Sequence, residues 1–308
     1  MTKNKIENAK KLLRSGELVI FPTETVYGLG GNANDKNAIK RIYNIKKRPA
    51  NNPIICHFKS LNEIKKDFYL SELEELLAKK LWPGPITLIL RKKTNSKISH
   101  LVSNKSSYIG CRIPKNRIAL QLLKSLNFPV AAPSANFSER TSVTKFEDLD
   151  KNLVKKIFTI KGEQSKLGLE STVIKVKKNS IEVLRLGSIT PNEILKVANK
   201  SKIKFITKSK ISPGNLKKHY ATQKKIRINV KKVNDDEGLI NFGKSNLKSK
   251  IINLNLSKNG NLKEASRNLF HFLHKLDQSK CKKIAIAPIP SVDLGLTIND
   301  RIKRASKK

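Results

Sequence analysis

Acidic residues, cysteine pairs and long apolar runs are what this 308-residue chain has little of. It carries 24 acidic residues against 64 basic ones, a formal net charge of +40. Its three cysteines, Cys56, Cys111 and Cys281, are scattered and form no C-x-x-C pair, which argues against a structural zinc site. Their odd number fits a reducing compartment. No stretch of about 18 apolar residues occurs, so a membrane span is not expected. Residues 1–17 are charged throughout and have no apolar signal core, and a cytoplasmic location is expected. The charge itself admits two readings. A polyanion-facing surface, with weak contact to tRNA or other RNA, is one. Drift in a chain rich in Lys, Asn and Ile is the other. The excess of basic residues per position is nearly twice as high in 201–308 as in 1–200.

Hydrophobic periodicity divides the chain. Ile6, Ala9, Leu12 and Leu13 recur at helical spacing, and Asp35 and Ser71 stand where they can cap helices. Glu17 to Pro22, Pro53 to Phe58, ITLIL, YIGCRI and PVAA read as strands. ESTVIKVKKNSIEVLRLG reads as two strands joined by a polar turn, and Pro191 suits the first turn of a helix. This mixture predicts an α/β domain over 1–200. Residues 201–225 are basic, lose the periodicity and contain Ser212-Pro213-Gly214, the pattern of a linker. Residues 226–308 alternate strands and helices and predict a small three-layer, Rossmann-like α/β domain.

Two phosphate-loop patterns are decoys. Gly28-Leu29-Gly30 followed by Ala33 fits G-x-G-x-x-A, but Pro22 to Tyr27 separate it from the preceding strand. No acidic residue falls about 20 positions on, where a ribose contact belongs. Gly238 to Ser245 fits G-x-x-x-x-G-K-S. Its interior reads as strand, NDDE precedes it, and no helix pattern follows.

Four stretches, taken together, are distinctive: FPTETVYGLG (21–30), KKRPANNPIICH (46–57), CRIP with AAPSANFSERTS (111–114 and 131–142), and LESTVIKV with VLRLG (169–176 and 183–187). In order and spacing they resemble the YrdC-like family, the threonylcarbamoyl-AMP synthases. SPGNLKKHYA, LFHFLHKLD and LGLTINDRIKRA resemble the linker and C-terminal domain of that family's two-domain form. The resemblance implies a twisted mixed sheet with helices for the first domain. It implies a reaction of L-threonine, bicarbonate and ATP, with Mg2+ accompanying the nucleotide, to threonylcarbamoyl-AMP and pyrophosphate. The intermediate would pass to a tRNA threonylcarbamoyltransferase complex. By resemblance, Lys46, Arg48, Asn52, Tyr108, Ser134, Asn136, Ser142, Arg185 and Tyr220 surround ATP, with Lys46 and Arg48 acting on the phosphates. Thr25, His57, Arg112, Ala132 and Ser171 surround threonine, Arg112 gripping its carboxylate bidentately. Tyr220 sits in a linker that could close over the site. Taken singly, His57 reads as a core histidine, and Lys46 and Arg48 as cations at a helix end. Leu186 and Thr222 stand where the family has proline, so two turns lose rigidity. An RNA-binding module of the same fold without the chemistry is the alternative.

Overall fold

The computed structural model describes residues 2–178, 180–198, 202–206, 211 and 220–307. Within the expected linker, residues 201, 207–210 and 212–219 lie outside the described residues.

The first domain opens with α1 (Thr2–Arg14), β1 (Val19–Phe21), β2 (Gly28–Asn32), α2 (Lys36–Lys46), β3 (Cys56–His57), α3 (Leu61–Asp67) and β4 (Phe68–Tyr69). It continues with α4 (Glu72–Leu81), β5 (Ile86–Lys92), β6 (Tyr108–Arg112), α5 (Arg117–Lys124), β7 (Val130–Ala131), α6 (Lys151–Lys156) and β8 (Phe158–Thr159). It ends with β9 (Thr172–Lys177), β10 (Ser180–Arg185), α7 (Pro191–Val197) and β11 (Lys202–Phe205). The strands form one mixed sheet in the order β11-β10-β9-β5-β6-β3-β7-β2-β1-β8, with β4 attached to β5. β1–β2 and β5–β6 are antiparallel, whereas β3–β6 and β5–β9 are parallel.

Strand alternation splits the core between the two faces. Leu18 and Ile20 join the larger cluster under α2, α4 and α7. Val19, Phe21 and Val130 join a second cluster with Leu13 of α1 and Leu122 and Leu123 of α5. The caps fall where the sequence puts them. Asp35 accepts from Asn37 N, Ser71 and Glu74 form a capping box, and Thr190 caps a helix whose first residue is Pro191. Residues 202–205 differ from expectation. They pair in parallel with β10, from Ser180↔Lys202 to Val183↔Phe205, and extend the first sheet.

The second domain holds β12 (Lys225–Arg227), β13 (Glu237–Asn241), β14 (Asn253–Asn255), α8 (Leu262–Gln278), β15 (Lys283–Ile286) and α9 (Leu294–Ala305). Its strands are all parallel, in the order β12-β15-β13-β14. Ile240, Ile284 and Ile286 pack on one face beneath Leu269 and Phe270 of α8 and Ile298 of α9. The other face, with Leu239 and Ala285, is covered by Val230, Val233 and Leu247 from connecting segments. The expected three layers are therefore two, because the connections 228–236 and 242–252 carry no helix. The G-x-x-x-x-G-K-S pattern is likewise no phosphate loop: its first four residues lie in β13, and the next helix starts at Leu262. Among the described residues no helix is long and apolar enough to cross a membrane.

The two domains touch closely. Gly168 has φ 73°, and a Cβ there would stand 2.3 Å from Ser266 O, so this approach requires glycine. Ser266 Oγ donates to Leu167 O at 2.9 Å, and His271 Nδ1 lies 2.9 Å from Asp148 Oδ2.

Candidate functional site

The stretch FPTETVYGLG folds around a threonine. Thr23 Oγ1 accepts from the backbone N–H groups of Thr25 and Val26, each at 3.2 Å, and donates to Val26 O at 2.6 Å. This local turn sets the loop between β1 and β2. Glycines 28, 30 and 31 lie in β2. A Cβ on Gly30 would meet Phe21 at 2.6 Å, and one on Gly31 would meet Leu18 at 2.8 Å. They permit close packing within the strand.

One cleft gathers Thr23, Thr25–Gly28, Arg48, Pro53–Ile55, His57, Arg112, Ala132–Ser134, Glu170, Ser171, Arg185 and Tyr220. Arg48 arrives there through the end of α2. Lys47 adopts φ 49°, with its N–H bonded to Asn44 O at 3.1 Å and that of Arg48 to Tyr43 O at 2.9 Å. This paired closure reverses the chain after Lys46. Arg48 then donates to Asn52 O, Asn52 Oδ1 and Pro53 O at 2.6–2.9 Å. Burial lowers its pKa to about 10. Arg185 grips Ser171, through the carbonyl at 2.8 Å and the hydroxyl at 3.0 Å, and burial lowers its pKa too. No carboxylate lies within ion-pair distance of Arg48 or Arg185 among the described residues.

The charge of Arg112 is neutralised. Arg112 Nη2 pairs with Glu24 at 2.7 Å, Nη1 donates to Thr25 Oγ1 at 3.0 Å, and Nε donates to Gly84 O at 3.3 Å. The guanidinium fork expected for a substrate carboxylate is thus partly committed, with one N–H left on each Nη. His57 is buried beside it, and its Nδ1 has no hydrogen-bond partner among the described residues. Burial and the nearby Arg112 push its pKa down to about 3, so the imidazole is neutral. Ser171 Oγ lies 2.8 Å from Thr87 Oγ1. Tyr220 closes one end of the cleft at φ 66°, a conformation that costs on the order of 1–3 kcal/mol and must be held by its surroundings. Thr141 Oγ1 donates to its carbonyl, and its ring stacks on Phe270 at 5.4 Å.

Five expected nucleotide residues do not line the cleft. Lys46 is buried, and its Nζ donates to Ser134 O at 2.6 Å and to Asn136 O. It anchors the loop carrying Ser134, and burial holds its pKa well below the ordinary ammonium value. Asn52 orients Arg48 from behind. Asn136 Nδ2 donates to Phe137 O and Arg140 O at 2.8 and 2.7 Å, fixing its own loop. Ser142 donates to Glu170 Oε1 at 2.6 Å. Tyr108 stands farthest from the cleft. It starts the strand that Arg112 ends, about 13 Å away at roughly 3.3 Å per residue. There the Lys175 ammonium covers its ring at 3.5 Å.

Three residues had not been singled out: Glu24, Glu170 and Arg301. Arg301 Nε donates to Glu170 Oε2 at 3.0 Å, across the domain boundary. The available signal was a charged residue inside each recognised motif: TET, LES and NDRIKRA.

Residues 11–187 match the Sua5/YciO/YrdC family, described as telomere recombination. Residues 189–307 match the family described as threonylcarbamoyl-AMP synthase, C-terminal domain. The chain belongs to the Sua5/YciO/YrdC family and has its two-domain form. The threonylcarbamoyl-AMP synthase of Pyrococcus abyssi is 34% identical, covering 98% of this chain and 94% of the relative. That of Bacillus subtilis is 31% identical, covering 98% and 92%. The crystal structure of P. abyssi Sua5 complexed with L-threonine superposes with a TM-score of 0.87 at 33% identity, covering 98% of this chain and 94% of that one.

Proposed function

We propose that this chain is a threonylcarbamoyl-AMP synthase, a cytoplasmic nucleotidyltransferase that joins L-threonine, bicarbonate and ATP. The observation that carries the reading is the pair of buried guanidinium groups, Arg48 and Arg185, lining one cleft with no carboxylate within ion-pair distance among the described residues. Burying an unmatched charge is costly, so such a pair fits a site completed by an anion. The relatives' names and the threonine bound to P. abyssi Sua5 support the same reading.

In this scheme the threonine amine adds to bicarbonate, giving a carbamate and water. A carbamate oxygen then attacks the α-phosphorus, and the bond to the β-phosphate oxygen breaks to release pyrophosphate. Arg48 and Arg185 take the developing phosphate charge, stabilisation of the kind fixed donors supply in phosphoryl transfer. Ser134 and Tyr220 border the nucleotide. Lys46, Asn52, Asn136 and Ser142 hold the segments that present them. Thr25, Arg112, Ala132, Ser171 and neutral His57 surround threonine. No residue is assigned as general base. Glu170, the cleft's carboxylate among the described residues, is engaged by Ser142 and Arg301. Mg2+ is expected to accompany ATP, where it would help neutralise the phosphate charge. The product would pass to a tRNA threonylcarbamoyltransferase complex, with the chain's positive charge allowing weak contact to RNA.

The test is pyrophosphate release from ATP by the purified chain. Release that requires both threonine and bicarbonate is expected. No release at saturating substrates, together with tight RNA binding, would replace the enzyme reading with that of an RNA-binding module.

A further inference from the structure

Arg301 belongs to α9 of the second domain, yet it is 1% exposed and most of its guanidinium is committed to the first domain. Nε donates to Glu170 Oε2 at 3.0 Å, and Nη2 donates to Leu186 O at 2.5 Å. Nη1 pairs with Asp300 on its own helix. The guanidinium carbon stands 5.0 Å from the centre of the Tyr220 ring. One turn earlier on the same helix face, Thr297 Oγ1 donates to Gly187 O at 3.1 Å.

The targets of these bonds are not arbitrary points on the first domain. Glu170 precedes Ser171, and Leu186 follows Arg185. Ser171 and Arg185 are themselves bonded and line the cleft. Arg301 therefore ties down both segments one residue away from the side chains they present. Glu170 and Tyr220, which it also touches, line the cleft directly. A buried ion pair is weak evidence for stability, since its desolvation offsets its attraction. What a planar fork offers here is geometry, because it reaches a carboxylate, a carbonyl and a ring face at once. A lysine has no such fork.

We infer that Arg301 is a positioning residue, through which the second domain fixes the Glu170–Ser171 wall and the Tyr220 ring of the cleft. Docking of the second domain is thereby coupled to affinity for the ligand. That this ligand is ATP rests on the function proposed above.

The experiment uses the full chain as wild type, Arg301→Lys, Glu170→Gln and the double variant, with His271→Asn as a control at the same interface. Hydrogen exchange is followed at 170–172 and 220–222, whose amides include Thr172 N–H bonded to Pro85 O and Ala221 N–H bonded to Glu139 O. In Arg301→Lys, exchange should rise in both segments while the amides of α8 stay protected. The KM for ATP should rise about tenfold, within the usual range for coupled sites, with a smaller change in kcat. Glu170→Gln, made from the first domain, should reproduce the rise at 220–222, and the double variant should add little to either single change. His271→Asn should leave the KM for ATP unchanged. Unaltered exchange in both segments, or fully additive effects in the double variant, would overturn the inference. Equal loss of ATP affinity in His271→Asn would reduce Arg301 to general docking and overturn it as well. If the wild-type chain releases no pyrophosphate, the functional reading fails alone, and exchange at 170–172 and 220–222 still decides the role of Arg301.

Discussion

Arg48 and Arg112 line the same cleft, but their surroundings differ. Arg112 is matched by Glu24 at 2.7 Å and tied to Thr25, so its wall is close to electrically balanced. Arg48 is held by an amide side chain and backbone carbonyls, and Arg185, which lines the same cleft, is held in the same uncharged way. A balanced wall suits a zwitterion such as an amino acid, whose own charges cancel. An unbalanced wall suits a polyanion, whose arrival completes the charge. On the proposed function, the first wall takes threonine and the second takes the triphosphate.

Breaking the matched pair should have the largest effect on stability. Arg112→Ala leaves Glu24 buried without its cation and should cost about 3–5 kcal/mol, read from urea denaturation. Arg112→Met combined with Glu24→Leu should recover most of that stability without recovering turnover. Arg48→Ala should behave in the opposite sense. It removes a buried unmatched charge, so the melting temperature should hold or rise slightly. Pyrophosphate release should still fall about 10²–10³-fold, the usual loss when one aimed donor is removed.

His57 sharpens the comparison through pH. Its native pKa of about 3 lies below the unfolded value of 6.5. Between these values the unfolded chain binds a proton that the native chain does not, so acid favours unfolding. Stability should therefore fall as pH drops from 6.5 toward 3, by at most about 1.4 kcal/mol per pH unit from this group. His57→Asn should flatten that slope in urea titrations at fixed pH steps. The smallest effect belongs to Tyr108→Ala. Outside the cleft, it should leave kcat/KM within about twofold, as surface changes usually do. A large loss would extend the nucleotide wall along β6.

Much of this was legible in the sequence because the motifs lie at strand ends and helix caps, where local chemistry is explicit. Asp35, Ser71 and Pro191 mark helix starts, and FPTET, KKR, PSAN and LEST bring Thr25, Arg48, Ser134 and Ser171 to one cleft. The place of Tyr108 outside the cleft was not legible, because alternation along YIGCR shows which face a residue takes, not which end of the strand the cleft occupies. The bonds of Lys46 were not legible either, because a lysine bound to carbonyls and a lysine aimed at phosphate have the same sequence signature. Glu24 and Glu170 were hidden by distance: their arginine partners lie 88 and 131 positions away. The two-layer second domain was missed because parallel strands usually cross through helices, and here two crossings are loops.

The division between the walls is tested most directly by calorimetric binding of ATP and of threonine, measured separately, to wild type, Arg48→Ala and Arg112→Lys. Arg48→Ala should lose ATP affinity and keep threonine affinity, while Arg112→Lys should do the reverse. Equal loss of both ligands in either variant, or no loss in Arg48→Ala, would contradict it.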